Sequence, residues 1–186
     1  IMRMKNRKAP GWDQITSEHL KFGGAILRAT VTWLLNGIVK SDMIPGHFKK
    51  GVMVPIPKPG KDMTNKDNNR GITLIPVLYK LLENILIKRE KTWFESPDVT
   101  DGIQSAGQSK CSSLHTSLLV QEAIAYGKNK GQTVYTAFLD TKKAFDTVWI
   151  TGLLYKLHQQ GISRKVWRLI KDGYHEFQCA VYIDGK

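Results

Sequence analysis

Asp140 follows Thr133-Val134-Tyr135-Thr136-Ala137-Phe138-Leu139, a run of β-branched and aromatic residues with no breaker. That run predicts a strand over 133–139. A carboxylate on the rigid end of a buried strand can hold a hard cation such as Mg²⁺, and the next backbone carbonyl can add a second oxygen. Asp140 can equally be a turn former that closes the strand. Asp146, followed by Thr147-Val148-Trp149 and a periodic segment, reads more simply as a helix N-cap than as a ligand.

The second chemical feature is a basic loop from Lys58-Pro59-Gly60-Lys61 to Arg70, set between a strand-like run and a helix. Lysines on such a loop can fold over a polyphosphate, and Arg70 offers a two-pronged fork to it. An ordinary solvated loop is the plain alternative. Gly60-Lys61 does not make a P-loop: Pro55 stands where its first glycine belongs, and Asp62 replaces the Ser or Thr that would touch Mg²⁺. The five histidines are scattered singly, so a zinc hydrolase has no support. No Gly-x-Ser-x-Gly elbow is present. Trp12, Trp33, Trp93, Trp149 and Trp167 can stack on bases, but Trp33 and Trp167 sit at helical spacing among aliphatics and are expected in the core.

These residues must be positioned by elements that the pattern outlines. Ala9 to Asp13 is a turn, and a short helix follows around Thr16–Phe22. After Gly23-Gly24, residues 25–40 read as a second helix that Pro45-Gly46 closes. Gly51 to Pro57 is apolar and strand-like, and its two prolines confine it to an edge or a strand end. Residues 75–91 form an amphipathic helix through Leu78, Leu81, Leu82, Ile85 and Leu86. Ser112 or Ser113 caps another, running to about Tyr126. Helices at about 147–159 and 163–175 flank Gly161. A last strand, Phe177–Ile183, runs into Asp184-Gly185, a hairpin signal.

Composition narrows the function classes. The 186 residues carry 28 Lys and Arg against 16 Asp and Glu, a net charge of +12. Basic runs at 1–8 and 49–70 favour a polyanion, and nucleic acid over a membrane surface, because neither lies on a clean amphipathic helix. No apolar run is long enough to span a bilayer. Cys111 and Cys179 alone build neither a zinc site nor a disulfide framework. No secretory signal is visible, so an intracellular, nuclear or cytoplasmic protein is expected. The chain opens on Ile1 rather than Met, which points to a segment of a longer reading frame.

The motifs, taken in order, resemble reverse transcriptases of non-LTR retrotransposons. They are Lys5-x-x-Lys8-Ala9-Pro10-Gly11-Trp12-Asp13, Ile44-Pro45 to Lys50, Val54-Pro55-Ile56-Pro57-Lys58, Asn69-Arg70-Gly71-Ile72-Thr73-Leu74 through Tyr79 to Glu83, and Phe138-Leu139-Asp140 to Ala144-Phe145-Asp146. The resemblance implies an α+β fold of right-hand polymerase fingers with an incomplete, ferredoxin-like palm. Fingers would occupy 1–103, the first palm segment with the catalytic-aspartate strand 104–150, and a return to fingers 151–186. It implies Asp140 as the first catalytic aspartate, ligating two Mg²⁺ ions, with the Thr141 backbone carbonyl as a further ligand. Lys58 and Arg70 would hold the triphosphate of an incoming dNTP. Phe145 would pack under its sugar and exclude a 2′-hydroxyl. Lys5, Arg7, Lys8 and Lys61 are candidates for contact with the RNA template and DNA primer.

The sequence departs from the pattern in places. Gly71 stands where many relatives carry Pro, Asn69 where Tyr is common, and 104–110 looks like an altered Gln-x-Gly-Phe-Arg loop. The family's paired-aspartate hairpin is absent from these residues, as is the thumb, and both belong to a C-terminal remainder. This segment alone is therefore expected not to polymerise, and its uncovered palm face is expected to make it marginally stable or prone to associate. Two rival readings are a non-catalytic, basic RNA-binding remnant of a decayed element and a different palm polymerase, of the group II intron or telomerase kind. In a complete polymerase, Phe145→Val should admit ribonucleotides. Incorporation assays that find sugar selectivity unchanged would remove that role from Phe145.

Overall fold

The computed structural model describes residues 1–62, 64–96, 99, 104–107, 111–141 and 143–182. In chain order its elements are α1 (Ser17–Phe22), α2 (Gly24–Ser41), β1 (Lys50–Pro57), a 3-10 turn (Lys66–Asn68), β2 (Asn69–Leu74), α3 (Val77–Arg89), α4 (Lys91–Phe94), α5 (Ser113–Asn129), α6 (Ile150–Gln159), α7 (Arg164–Tyr174) and β3 (Gln178–Val181). They fall into two compact units, residues 1–89 with 161–186, and residues 90–160. The mixed α+β character agrees with the sequence. The Asp184-Gly185 hairpin signal lies outside the described residues.

In the first unit, local chemistry sets the helix ends. Thr16 and His19 form a capping box over α1, each side chain taking the other's backbone N–H. Asp42 adopts a left-handed conformation (φ 58°) at the end of α2, and its carboxylate receives Arg168 at 2.7 Å and Lys165 at 3.7 Å from α7. Val31, Leu35, Ile38 and Val39 are the buried stripe of α2. Trp33 lies 77% exposed, against the expectation that it joins the core. At 100° per residue it points about 200° away from both Val31 and Leu35, so the two rows cannot be buried together. Trp167 is half-buried at the margin of α7. Leu82 and Leu169, both fully buried, carry α3 and α7 into the same core.

The sheet has the order β2-β1-β3. β1 runs antiparallel to β2 from Val52↔Leu74 to Pro57↔Asn69, and parallel to β3 from Lys50↔Gln178 to Met53↔Val181. The prolines therefore do not make β1 an edge strand throughout. β3 reaches only its first half, and Pro55 and Pro57 fall where β1 has a single neighbour, so no second ladder is asked of them. The turn at 9–13 packs rather than merely reversing the chain. A Cβ on Gly11 would lie 2.7 Å from the backbone of Ile75 and Pro76. Trp12 donates Nε1–H to the His47 carbonyl at 2.9 Å and stacks on the His47 ring.

One ion pair, its lysine buried and its carboxylate half-buried, joins α7 to the turn before β1. Asp172 on α7 meets Lys49 Nζ at 2.8 Å and accepts the Ile44 N–H at 2.7 Å. Lys49 is 8% exposed. Burial raises the Asp172 carboxyl, but the Lys49 hydrogen bond, the Ile44 N–H and the Lys49 charge together outweigh it and hold the group below its ordinary value. Beside it, burial pushes the Tyr79 phenol up to about 12, where its hydroxyl fills the space left by Gly173.

The second unit contrasts sharply in burial. All the buried large apolar side chains among the described residues belong to the first unit. In the second, Gly127 alone of the described residues is buried. Trp93 donates to the Gln160 carbonyl at 2.8 Å, which ties the unit's two ends. The strand expected over 133–139 is not formed: residues 132–141 have no regular secondary structure, and Tyr135, Phe138 and Leu139 are exposed. A strand obtains its ladder from a neighbour, and no second strand occurs among this unit's described residues. Asp146 does not cap a helix either. It lies in a turn with its N–H on the Lys143 carbonyl at 2.9 Å, and α6 starts at Ile150 behind Trp149.

Asp172→Ala should destabilise the first unit by about 2–4 kcal/mol, because it strands a buried ammonium, and chemical denaturation measures this. The carboxyl's depressed folded pKa means its ionised form favours the fold. That contribution is present above the ordinary carboxylate value and is lost as pH falls through the depressed one. Acid titration below about pH 4 should therefore cost the wild type more stability than Asp172→Asn.

Candidate functional site

The basic loop is the tip of the β1–β2 hairpin, and its polar residues build it. Lys58 N–H donates to the Asn68 carbonyl at 2.8 Å, one rung beyond the Pro57↔Asn69 pair. Lys61 N–H closes a turn on the Lys58 carbonyl at 3.2 Å, across Gly60 at φ 69°. The Asp62 carboxylate accepts the Thr64 N–H and hydroxyl at 2.9 Å. These bonds, the backbone N–H first, hold its pKa below the ordinary value. Asn65 Oδ1 accepts the Asp67 N–H at 2.9 Å, and Asn68 Nδ2 donates to the Asp62 carbonyl at 3.0 Å. Such side-chain-to-backbone bonds are the reason Asp and Asn populate tight turns.

The hairpin brings together cations twelve positions apart. Lys58 donates its ammonium to the Asp67 carbonyl at 2.8 Å. Arg70 is exposed and pairs in register with Ile56. Because side chains directly opposite in a ladder share a face, Ile56 and Arg70 take one face, and Lys58 follows just past the end of β1. Ile72, opposite Val54, continues that face, with Ile56 and Ile72 each about half exposed. Two cations at the end of an apolar strip can hold a phosphate chain and lay a flat apolar group beside it. On the other face, a Cβ on Gly71 would lie 2.9 Å from Met53 Sδ, so the Met53 side chain fills the space this glycine leaves. Lys61 is exposed at the tip.

The N-terminal cations belong to the same unit. Ser17 donates its hydroxyl to the Lys5 carbonyl at 2.7 Å, Arg7 N–H meets Glu18 Oε1, and Lys21 Nζ donates to Met4 O and Asn6 Oδ1. The arm is thus pinned to α1 by its backbone, and the Lys5, Arg7 and Lys8 side chains face solvent.

Asp140, Thr141 and Phe145 belong to the second unit. Asp140 and Thr141 are exposed on irregular backbone. Phe145 is 95% exposed, on a turn where the Lys143 carbonyl accepts the Asp146 and Thr147 N–H groups. Among the described residues no three His, Cys, Asp or Glu side chains gather around one point. Asp140 with the Thr141 carbonyl offers two hard oxygen donors, which suits a share of a Mg²⁺ shell and falls short of a site. Of the 104–110 loop, residues 108–110 lie outside the described residues. Sequence reasoning missed Asp62, Asn65 and the Ile56–Ile72 strip. The Asp-x-Thr and Asn-x-Asp spacings are the turn signatures that would have found the first two.

Residues 56–185 match the family model described as reverse transcriptase (RNA-dependent DNA polymerase). The chain is 32% identical over 162 residues to the probable RNA-directed DNA polymerase from transposon X-element of Drosophila melanogaster, covering 86% of this chain and 18% of that protein. It is 26% identical over 185 residues to the RNA-directed DNA polymerase from mobile element jockey of Drosophila funebris, covering 100% of this chain and 20% of the other. It is 30% identical over 159 residues to the retrovirus-related Pol polyprotein from type-1 retrotransposable element R2 of Popillia japonica, covering 83% and 20%. The chain spans about a fifth of the length of these relatives.

Asp62→Ala should speed amide exchange at Thr64, whose N–H loses its acceptor, while the melting temperature stays unchanged because the loop is exposed. Exchange measured by NMR at an unaltered rate would show that the backbone alone holds the tip.

Proposed function

The chain belongs to the reverse transcriptase (RNA-dependent DNA polymerase) family, in the form carried by non-LTR retrotransposons, and on that premise we propose that it forms the nucleotide-gripping part of an enzyme that adds dNTPs to a DNA primer on an RNA template. The observation that supports this reading is the β1–β2 hairpin, with Arg70 exposed opposite Ile56 and Lys58 just past the end of β1, its ammonium on the Asp67 carbonyl. An Arg fork and a Lys ammonium are the donors a triphosphate recruits. In this reading residues 1–103 and 151–186 are fingers, and residues 104–150 are the first palm segment.

Asp140 then serves as one metal-ligating carboxylate, with the Thr141 carbonyl beside it, and the remaining carboxylates come from outside these residues. Mg²⁺, when bound, neutralises charge on the phosphates and activates the attacking oxygen. Phe145 acts as the sugar gate. The irregular backbone at 132–141 is read as a strand whose ladder requires palm strands that these residues do not supply, so the segment alone does not extend primers. The enzyme works inside the cell, in nucleus or cytoplasm. No described helix is long and apolar enough to cross a membrane.

In a complete polymerase, Arg70→Ala should raise KM for dNTP about 10- to 100-fold, the loss of a charge-assisted hydrogen-bonding group. Asp140→Asn should abolish primer extension and leave RNA binding intact. Retained extension in Asp140→Asn would instead remove the metal-ligating role from Asp140.

A further inference from the structure

The net charge of +12 is not shared between the two units. Residues 1–89 with 161–186 hold 21 Lys and Arg against 9 Asp and Glu, whereas residues 90–160 hold seven of each. The whole excess thus sits on the first unit. The hairpin tip and the N-terminal arm take part of it. The densest remaining concentration is α7, with Arg164, Lys165, Arg168 and Lys171 in eleven residues.

Two features separate α7 from an ordinary solvated helix. First, Arg164, Trp167, Arg168 and Lys171 recur at i, i+3, i+4 and i+7, which is one stripe along the helix. Val166 and Leu169 fill the buried side, Trp167 is half-buried within the stripe, and Lys171 Nζ lies 5.3 Å from its ring. Second, the single acid of α7 has been taken off that surface. Asp172 is turned to Lys49 and the Ile44 N–H, so no carboxylate of the helix's own screens the stripe. Asp42 offsets one charge, and in doing so fixes Arg168 at 2.7 Å and braces the helix against the end of α2.

We propose that the outer face of α7 is a docking surface for an RNA strand, with Arg164 and Lys171 contacting successive phosphates and Trp167 offering an edge for a base. The spacing from Arg164 to Lys171 is about 10 Å along the axis, a reach of one to two nucleotides. Cations on a braced helix lose less side-chain freedom on binding than cations on a loop. The family reading supplies only the choice of RNA. The contact itself rests on the charge and geometry of α7, and neither Arg70 nor Asp140 takes part in it.

The test is fluorescence anisotropy of this chain with a labelled oligouridylate of about 20 nucleotides, long enough for one such site, titrated between about 50 and 200 mM salt. Arg164→Glu with Lys171→Gln removes two contacts and keeps the fold, since Glu suits the first turn of a helix. Kd should rise roughly tenfold, and the slope of log K against log salt should become shallower by about 1.4. Arg164→Lys with Lys171→Arg should restore both. If the double variant loses its melting transition, Arg164→Gln and Lys171→Gln carry the test singly, each lowering the slope by about 0.7. Affinity within twofold and an unchanged slope would overturn the proposal while leaving the triphosphate reading intact. So would a wild-type chain that binds polyglutamate and not RNA, which would assign this face to an acidic protein. A chain that binds RNA through α7 but whose complete polymerase tolerates Arg70→Ala would separate the two in the other direction.

Discussion

The placement of α7 in the first unit hangs on a carboxylate that arrives 123 residues after the lysine it neutralises. Asp172 takes the Lys49 ammonium and the Ile44 N–H together, and this fixes α7 against the turn from which β1 departs. A buried Lys without such a partner is costly, and a buried pair with good hydrogen bonds is tolerated. The pair therefore specifies where α7 lies more than it adds to net stability. With α7 fixed, β3 follows within a few residues and pairs beside Lys50–Met53. The sheet thus gains its third strand through the same contact that closes the core.

That closure explains why the two units differ. The first unit buries Leu35 of α2, Leu82 of α3 and Leu169 of α7, residues of segments far apart in sequence. The second unit has helices with apolar residues, such as Leu114 and Leu118 on α5, that remain exposed. Its apolar stretch at 133–139 has no ladder partner among the described residues. Burial and backbone pairing are both non-local requirements, and only one unit meets them within this segment.

The chemistry follows the same division. The hairpin tip, for which we propose a grip on a triphosphate, is held by Asp62, Asn65 and Asn68, which satisfy the turn's backbone from their own side chains. Its cations therefore sit on a rigid support. Asp140 has no comparable support among the described residues, since a lone carboxylate becomes a metal site only when other ligands are brought to it.

Much was legible in the amino-acid sequence alone. The helices α1, α2, α3, α5, α6 and α7 were readable within a few residues, because caps and a 3.6-residue period act over short range: Thr16 with His19, Gly23 between two helices, Ser163 before α7. The family was readable as well, because its motifs are local strings in a fixed order. Tertiary structure decided the rest. It placed β1 inside the sheet, since pairing with β3 depends on a strand more than a hundred residues away. It turned Trp33 to solvent, because periodicity marks a stripe but not which of two opposed stripes meets a partner. It left 133–139 without a ladder, since a strand's propensity is written in its own residues and its hydrogen bonds belong to its neighbour.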